Sequence, residues 1–246
     1  MAIKSTLNYS PNFNSKKREK KQIKFLIFHY TGMKKESEAI KRLTSIQSEV
    51  SSHYLIKNNG EILTLVPDLY ISWHAGKSAW KNYSSLNNHS IGIEICNPGH
   101  GTNYRKFSNQ QIKSLLKLTI FLIKKYKINS KNILGHSDVA PDRKKDPGEK
   151  FPWEYLAKKK IGLWHTLEAK VLKRFRSCKI DNKGKRSFLN NLFKIGYLRK
   201  ISSNTSKGKF FFFVIKAFQR RFRPELINGK IDEECLLISQ NIVKKF

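Results

Sequence analysis

Residues 90–126 place the tightest limit on the architecture of this chain. Residues 90–96 alternate, with Ile91, Ile93 and Ile95 on one side and Gly92, Glu94 and Cys96 on the other. That period of two predicts a strand with one face buried and one half-exposed. A helix follows: Ser108 with Gln111 three residues on is a capping box, and Ile112, Leu115, Leu116, Thr119, Leu122 and Ile123 form an apolar stripe down to Tyr126. A strand with one apolar face and a helix with one apolar stripe bury both only by stacking helix on sheet.

The rest of the first two thirds agrees. Residues 23–29 read as a buried strand closed by Thr31-Gly32, and 38–47 as a helix carrying Ala39, Leu43 and Ile46. Residues 53–56 and 61–66 flank Asn58-Asn59-Gly60, a hairpin signal, because Asn-Gly tolerates the positive φ of a tight turn. Residues 71–86 read as a loop, 132–135 as a short strand, 137–150 as a long polar loop, and Phe151-Pro152-Trp153 as the opening of another helix. The alternation predicts an α/β domain over 23–170, a mixed central sheet flanked by helices. Residues 1–22, polar and ending in Lys16-Lys17-Arg18-Glu19-Lys20-Lys21, predict a flexible basic arm. From about residue 175 the pattern turns helical (188–197, 212–222 and 231–243), which predicts a small C-terminal three-helix domain over 175–246.

Charge narrows the partners. Lys and Arg number 49 against 18 Asp and Glu, a net charge of +31 spread along the whole chain. Nucleic acid, acidic lipid and a polyanionic cell wall all fit that excess. No known nucleic-acid module is visible, so no specific nucleic-acid partner is expected. No apolar run approaches the roughly 18–20 residues of a transmembrane segment, and no signal peptide is visible. Cys96, Cys178 and Cys235 form no CxxC pair and read as packing residues.

His29, His53 and His136 lie at the edges of expected strands, and His29 and His136 are followed at once by loops that could open a site. A carboxylate from the 137–150 loop (Asp138, Asp142 or Asp146) would complete a set of two imidazoles and one oxygen. Such a set leaves a tetrahedral zinc one open position for water, as a catalytic site requires.

Seven segments in order carry a resemblance. They are Phe28-His29-Tyr30-Thr31, Ser52-His53-Tyr54-Leu55-Ile56, Trp73-His74-Ala75-Gly76, Ser90-Ile91-Gly92-Ile93-Glu94-Ile95, Gly135-His136-Ser137-Asp138-Val139-Ala140-Pro141, Arg143-Lys144-Lys145-Asp146-Pro147-Gly148 and Phe151-Pro152-Trp153. Together, over roughly 22–165, they resemble the zinc-dependent N-acetylmuramoyl-L-alanine amidases of the second amidase family, especially its AmpD/AmiD branch. The resemblance implies one zinc per chain held by His29, His136 and Asp146. It also implies Glu94 as the acid/base that moves a proton from water to the departing amine, and Lys144 as the cation that stabilises the oxyanion. No Ser or Cys nucleophile is required, and no G-x-S-x-G is present.

His53, Trp73, His74, Asn87, Asn97 and Arg143 fall on or beside the matched segments and are expected to line a groove for the muramyl sugar and stem peptide. Asp138 is expected to bond loop backbone amides, and Tyr30 to pack behind His29. His89, His100 and His165 have no motif support. The implied partner is peptidoglycan or its muropeptides. A non-catalytic binder of wall fragments is the competing expectation; the presence of all three ligands with Glu94 and Lys144 argues against it.

A second resemblance covers the tail. Residues 190–197, the run Ala217-Phe218-Gln219-Arg220-Arg221-Phe222 and Gly229-Lys230-Ile231-Asp232 resemble a three-helix peptidoglycan-binding domain. Phe210-Phe211-Phe212-Phe213 departs from that pattern where a polar turn is usual. These residues could degrade the wall-binding surface or pack the tail onto the first domain. Location follows neither way: a missing signal suggests the cytoplasm, a wall-binding tail the periplasm or outside.

Overall fold

The computed structural model describes residues 3–101, 103–197 and 206–246. Their strands are β1 (Thr6–Leu7), β2 (Phe13–Asn14), β3 (Phe25–Tyr30), β4 (Tyr54–Ile56), β5 (Ile62–Thr64), β6 (Ile71–Ser72), β7 (Ala79–Trp80), β8 (Tyr83–Ser84), β9 (Ser90–Ile95) and β10 (Ile133–Gly135). Their α-helices are α1 (Glu36–Thr44), α2 (Asn109–Tyr126), α3 (His136–Val139), α4 (Trp153–Lys158), α5 (Ala169–Phe175), α6 (Asn182–Ile195), α7 (Lys207–Phe222) and α8 (Glu233–Val243). The six-stranded sheet has the order β1-β5-β4-β9-β3-β10. Only β4 and β5 pair antiparallel; β1–β5, β4–β9, β9–β3 and β3–β10 are parallel. The mixed sheet flanked by helices is as expected.

Two apolar layers sandwich the sheet. Leu26 and Phe28 of β3 join Ile91, Ile93 and Ile95 of β9 against Leu115, Leu118 and Leu122 of α2. The alternate β3 residues, Phe25 and Ile27, face the other way and join the C-terminal helices. The reading of β9 as half-exposed is corrected, because His74 packs over its other face at Gly92 and Ser90. Parallel strands covered on both faces are buried throughout, and only Glu94 of this strand keeps partial exposure. The capping box of α2 forms as expected: Gln111 N–H donates to Ser108 Oγ (3.2 Å) and Ser108 N–H to Gln111 Oε1 (3.0 Å).

The N-terminal arm is not loose. β1 adds to the sheet edge beside β5, and β2 pairs with β6. Arg18 is buried, and its guanidinium donates to the carbonyls of Asp68 (2.9 Å) and Asn87 (2.9 Å). Lys16, Lys17, Lys20 and Lys21 stay exposed. The run of charges therefore hides one cation whose planar donors find carbonyl partners; residues 1–2 of the expected arm lie outside the described residues. The 137–150 stretch also departs from a polar loop, since it opens with α3, whose four residues are all buried.

The tail contains the three expected helices, as α6, α7 and α8, preceded by the short α5. Their apolar faces form one cluster with Phe25, Ile27, Trp80, Leu134 and Val139 of the sheet layer. The expected boundary near 170–175 is thus crossed by a continuous core. Phe210 is buried in that cluster, whereas Phe212 is exposed at the surface. Residues 198–205 of the expected tail domain lie outside the described residues. Among the described residues no helix is long and apolar enough to cross a membrane.

Candidate metal centre

β3 and β10 run parallel with Phe28 paired to Gly135, so the next residues, His29 and His136, leave the sheet side by side. Their Nδ1 atoms lie 2.9 Å apart, and Asp146 Oδ2 lies 3.0 Å from each. All three side chains are buried, and this is the one cluster of metal-binding type among the described residues. Ligand atoms ~2.0–2.1 Å from a tetrahedral zinc lie roughly 3.3 Å apart. The triangle therefore needs to open by a few tenths of an ångström to accept one. Of the carboxylates the sequence left open, only Asp146 belongs to this cluster. Asp138 accepts the Gly135 N–H at 2.8 Å, the backbone role expected of it.

Hydrogen bonds behind the cluster fix which ring nitrogens are free. Ser90 Oγ donates to the Leu86 carbonyl (2.6 Å) and so accepts from His74 Nε2–H (3.1 Å). His74 Nδ1 is then an acceptor and takes the His29 Nε2–H at 3.0 Å, leaving the His29 Nδ1 lone pair facing the cluster. His136 Nε2–H donates to the Ala75 carbonyl at 3.2 Å, which frees its Nδ1 in the same way. Such outer partners set the tautomer and orientation of a metal-binding imidazole. Gly92 makes room for this: a Cβ there would fall 2.6 Å from His74 Nδ1.

Electrostatics agree with a neutral-imidazole, ionised-carboxylate donor set. Burial, helped by His136, pushes the His29 pKa down to about 4, and burial pushes His74 well below its ordinary value. Burial works against the Asp146 carboxylate, but His136 and His29 outweigh it and hold its pKa far below the usual range. Glu94 goes the other way. Burial first, and the Asp146 charge second, raise its pKa to about 8, with Lys144 opposing. Glu94 Oε2 is buried with no hydrogen-bond partner among the described residues.

The cluster opens into a cleft of about 550 Å³, lined among others by Trp73, His74, Glu94, His136, Arg143, Lys144 and Asp146. Arg143 also donates to the carbonyls of Ala75 (2.5 Å) and Lys77 (3.0 Å), which pins the loop behind His136. Three residues expected at the groove are elsewhere. His53 is fully buried and accepts the Gly92 N–H at 3.0 Å. Asn87 Oδ1 accepts from Ala75 N–H at 2.7 Å, and Asn97 Nδ2 donates to the Arg105 carbonyl at 2.9 Å. None of the three faces the cleft: Asn87 and Asn97 brace loops, and His53 satisfies a backbone N–H within β9. His74 touches the cleft but mainly supports His29.

Arg42, Tyr30 and His100 line the cleft without having been expected there. The Tyr30 hydroxyl lies 2.8 Å from His100 Nδ1, a contact between residues 70 apart that no local pattern signals. His89 meets Tyr83 edge-on and His165 stacks on Trp164, both away from the cleft. A larger groove of about 1140 Å³ between β1 and α2 is mainly apolar, and no His or Cys lines it.

Residues 19–149 match the N-acetylmuramoyl-L-alanine amidase family. The chain is 36% identical over 240 residues to the N-acetylmuramoyl-L-alanine amidase AmiD of Escherichia coli strain K12, covering 92% of this chain and 84% of that protein. A solved complex of the E. coli AmiD with anhydro-N-acetylmuramic acid-L-Ala-D-γ-Glu-L-Lys superposes with a TM-score of 0.77, covering 92% of this chain and 90% of that one. AmpDh3 of Pseudomonas aeruginosa in complex with anhydromuramic pentapeptide is 30% identical with a TM-score of 0.78, and 96% of each chain is covered.

Proposed function

The chain belongs to the N-acetylmuramoyl-L-alanine amidase family and is an amidase of that kind; from that premise we propose that it is a one-zinc hydrolase of the bond between the muramoyl lactyl group and L-alanine. The observation that carries the zinc is the convergence of His29 Nδ1, His136 Nδ1 and Asp146 Oδ2 within 3.0 Å, each imidazole with its other nitrogen engaged. When bound there, zinc would acidify a water and polarise the scissile carbonyl.

The remaining steps fall to this chain's own groups. Glu94, in register with His29 on the neighbouring strand, takes a proton from the attacking water and delivers it to the alanine nitrogen as the C–N bond breaks. Burial raises its pKa from the ordinary carboxylate range towards neutrality, the direction an acid/base group needs. The Lys144 ammonium, lining the same cleft, offsets the negative charge that builds on the former carbonyl oxygen. Arg42, Arg143, Lys144 and Lys145 give the cleft a basic wall, suited to the carboxylates of a stem peptide.

The ligands in the related complexes support muropeptides, including the 1,6-anhydro form, as substrates, and hence a role in peptidoglycan breakdown and recycling. The orphaned Glu94 oxygen weighs against a purely binding protein, which gains nothing from a buried unpaired carboxylate. A wall-binding role for the tail would fall to the faces of α5–α8 left outside the shared core. Hydrolysis of a purified anhydro-muropeptide, followed by mass analysis for free tripeptide or pentapeptide, tests the reading. Absence of cleavage by zinc-loaded protein overturns it.

A further inference from the structure

α7 carries two adjacent arginines that leave the helical bundle and enter the layer behind the metal centre. Arg221 is buried and forms an ion pair with Asp138 in which both side chains are almost fully enclosed. Its Nη2 also donates to the Ile133 carbonyl at 3.0 Å, and its guanidinium lies 4.1 Å from the centre of the Trp153 ring. One side chain thus grips the first residue of β10, the α3 turn and the first residue of α4. Asp138 is gripped from the tail a second time, because the Tyr197 hydroxyl donates to its Oδ1 at 2.7 Å. Tyr197 is itself held edge-on against Trp80, with ring centres 4.8 Å apart. The same carboxylate caps Gly135 N–H. His136 therefore sits on backbone fixed on one side by Gly135 and on the other by Asp138.

Arg220 makes a parallel reach. It lies 4.0 Å from Glu149, which accepts from His100 Nε2–H at 2.9 Å, and His100 in turn bonds Tyr30, the neighbour of His29. A module that only tethers an enzyme to its substrate needs neither contact. A buried ion pair is also weak evidence for stability, since desolvation offsets most of its attraction; orientation is the better-attested use.

We propose that Arg221 and Tyr197 are positioning residues for the metal centre: through Asp138 the C-terminal helices set the orientation of His136, and with it the affinity and geometry of the zinc site. The proposal rests on the zinc reading above. The test uses the full chain, with Arg221→Met, Arg221→Lys and Tyr197→Phe, the last removing one oxygen while keeping the ring. Zinc affinity is read by competition with a chromophoric chelator, site geometry by the visible absorption of the cobalt(II) form, and turnover on a soluble anhydro-muropeptide.

The expected result is zinc affinity weakened about tenfold or more, a shifted cobalt spectrum, and a lower kcat with KM little changed. Arg221→Lys should recover part of the affinity. If Arg221→Met does not fold, Tyr197→Phe decides. A folded Tyr197→Phe variant with unaltered zinc affinity and cobalt spectrum overturns the proposal, even if it melts earlier. Failure of the unsubstituted chain to bind zinc overturns the metal reading, and this proposal with it.

Discussion

His29 and Glu94 are register partners across the parallel β3–β9 pair. A candidate metal ligand and an unpartnered carboxylate therefore leave the same face of the sheet one strand spacing apart, about 4.8 Å. The sheet, more than any loop, sets the distance between the two halves of the proposed chemistry.

Glu94→Gln should keep zinc and lose turnover by about a hundredfold or more, because it removes proton transfer without removing a ligand. It should also change stability in a pH-dependent way. The Glu94 pKa is raised from 4.5 to about 8 in the folded chain, so the folded state holds the proton more tightly than the unfolded one. Stability from this group is full below about 4.5 and is lost as pH rises towards 8. Metal-free Glu94→Gln should accordingly melt close to the unsubstituted chain at pH 4 and above it at pH 8. Thermal melts of chelator-treated protein across that range check this; an unchanging difference would remove the case for a buried, proton-holding Glu94.

Lys144→Met should lower kcat by about a hundred- to a thousandfold, the cost of removing one oxyanion donor, with zinc content intact. Steady-state kinetics on a soluble muropeptide measure it. A change confined to KM would make Lys144 a substrate-carboxylate contact instead.

His74→Ala and Ser90→Ala break the relay that holds His29 in its Nδ1-free tautomer. Each should weaken zinc binding by about ten- to a hundredfold, His74→Ala more than Ser90→Ala. Gly92→Ala should act on His74 from the opposite side, since the added methyl occupies its ring position. Chelator competition on the three variants gives the ranking, and equal affinities would show that the relay has no hold on the metal.

Deleting 175–246 would uncover Phe25, Ile27, Leu134 and Val139. Melting temperature should fall, and turnover should drop on sacculi and soluble muropeptides alike. A loss confined to sacculi would instead assign the tail to targeting alone, since tethering raises the local concentration only of an immobilised substrate.

The convergence of His29, His136 and Asp146, with Glu94 in register beside His29, was legible because strand ends and motif order encode it. What was not legible depends on layers that meet only in three dimensions. β9 reads as half-exposed until His74 packs over its second face at Gly92 and Ser90. Arg18 reads as one more solvated cation until two carbonyls converge on it. His74 reads as a groove residue until Gly92, eighteen positions on, makes room for it behind His29. Arg221 lies 83 residues from Asp138, and nothing in its helical context marks it for a buried ion pair.

The most direct test of the account is metal content against hydrolysis in one preparation. Purified chain should contain about one zinc, lose hydrolysis of anhydro-muropeptide on chelation, and recover it on adding zinc back. His136→Ala and Asp146→Ala should fail to retain the metal. Full hydrolysis by protein shown to be metal-free would contradict the central claim outright.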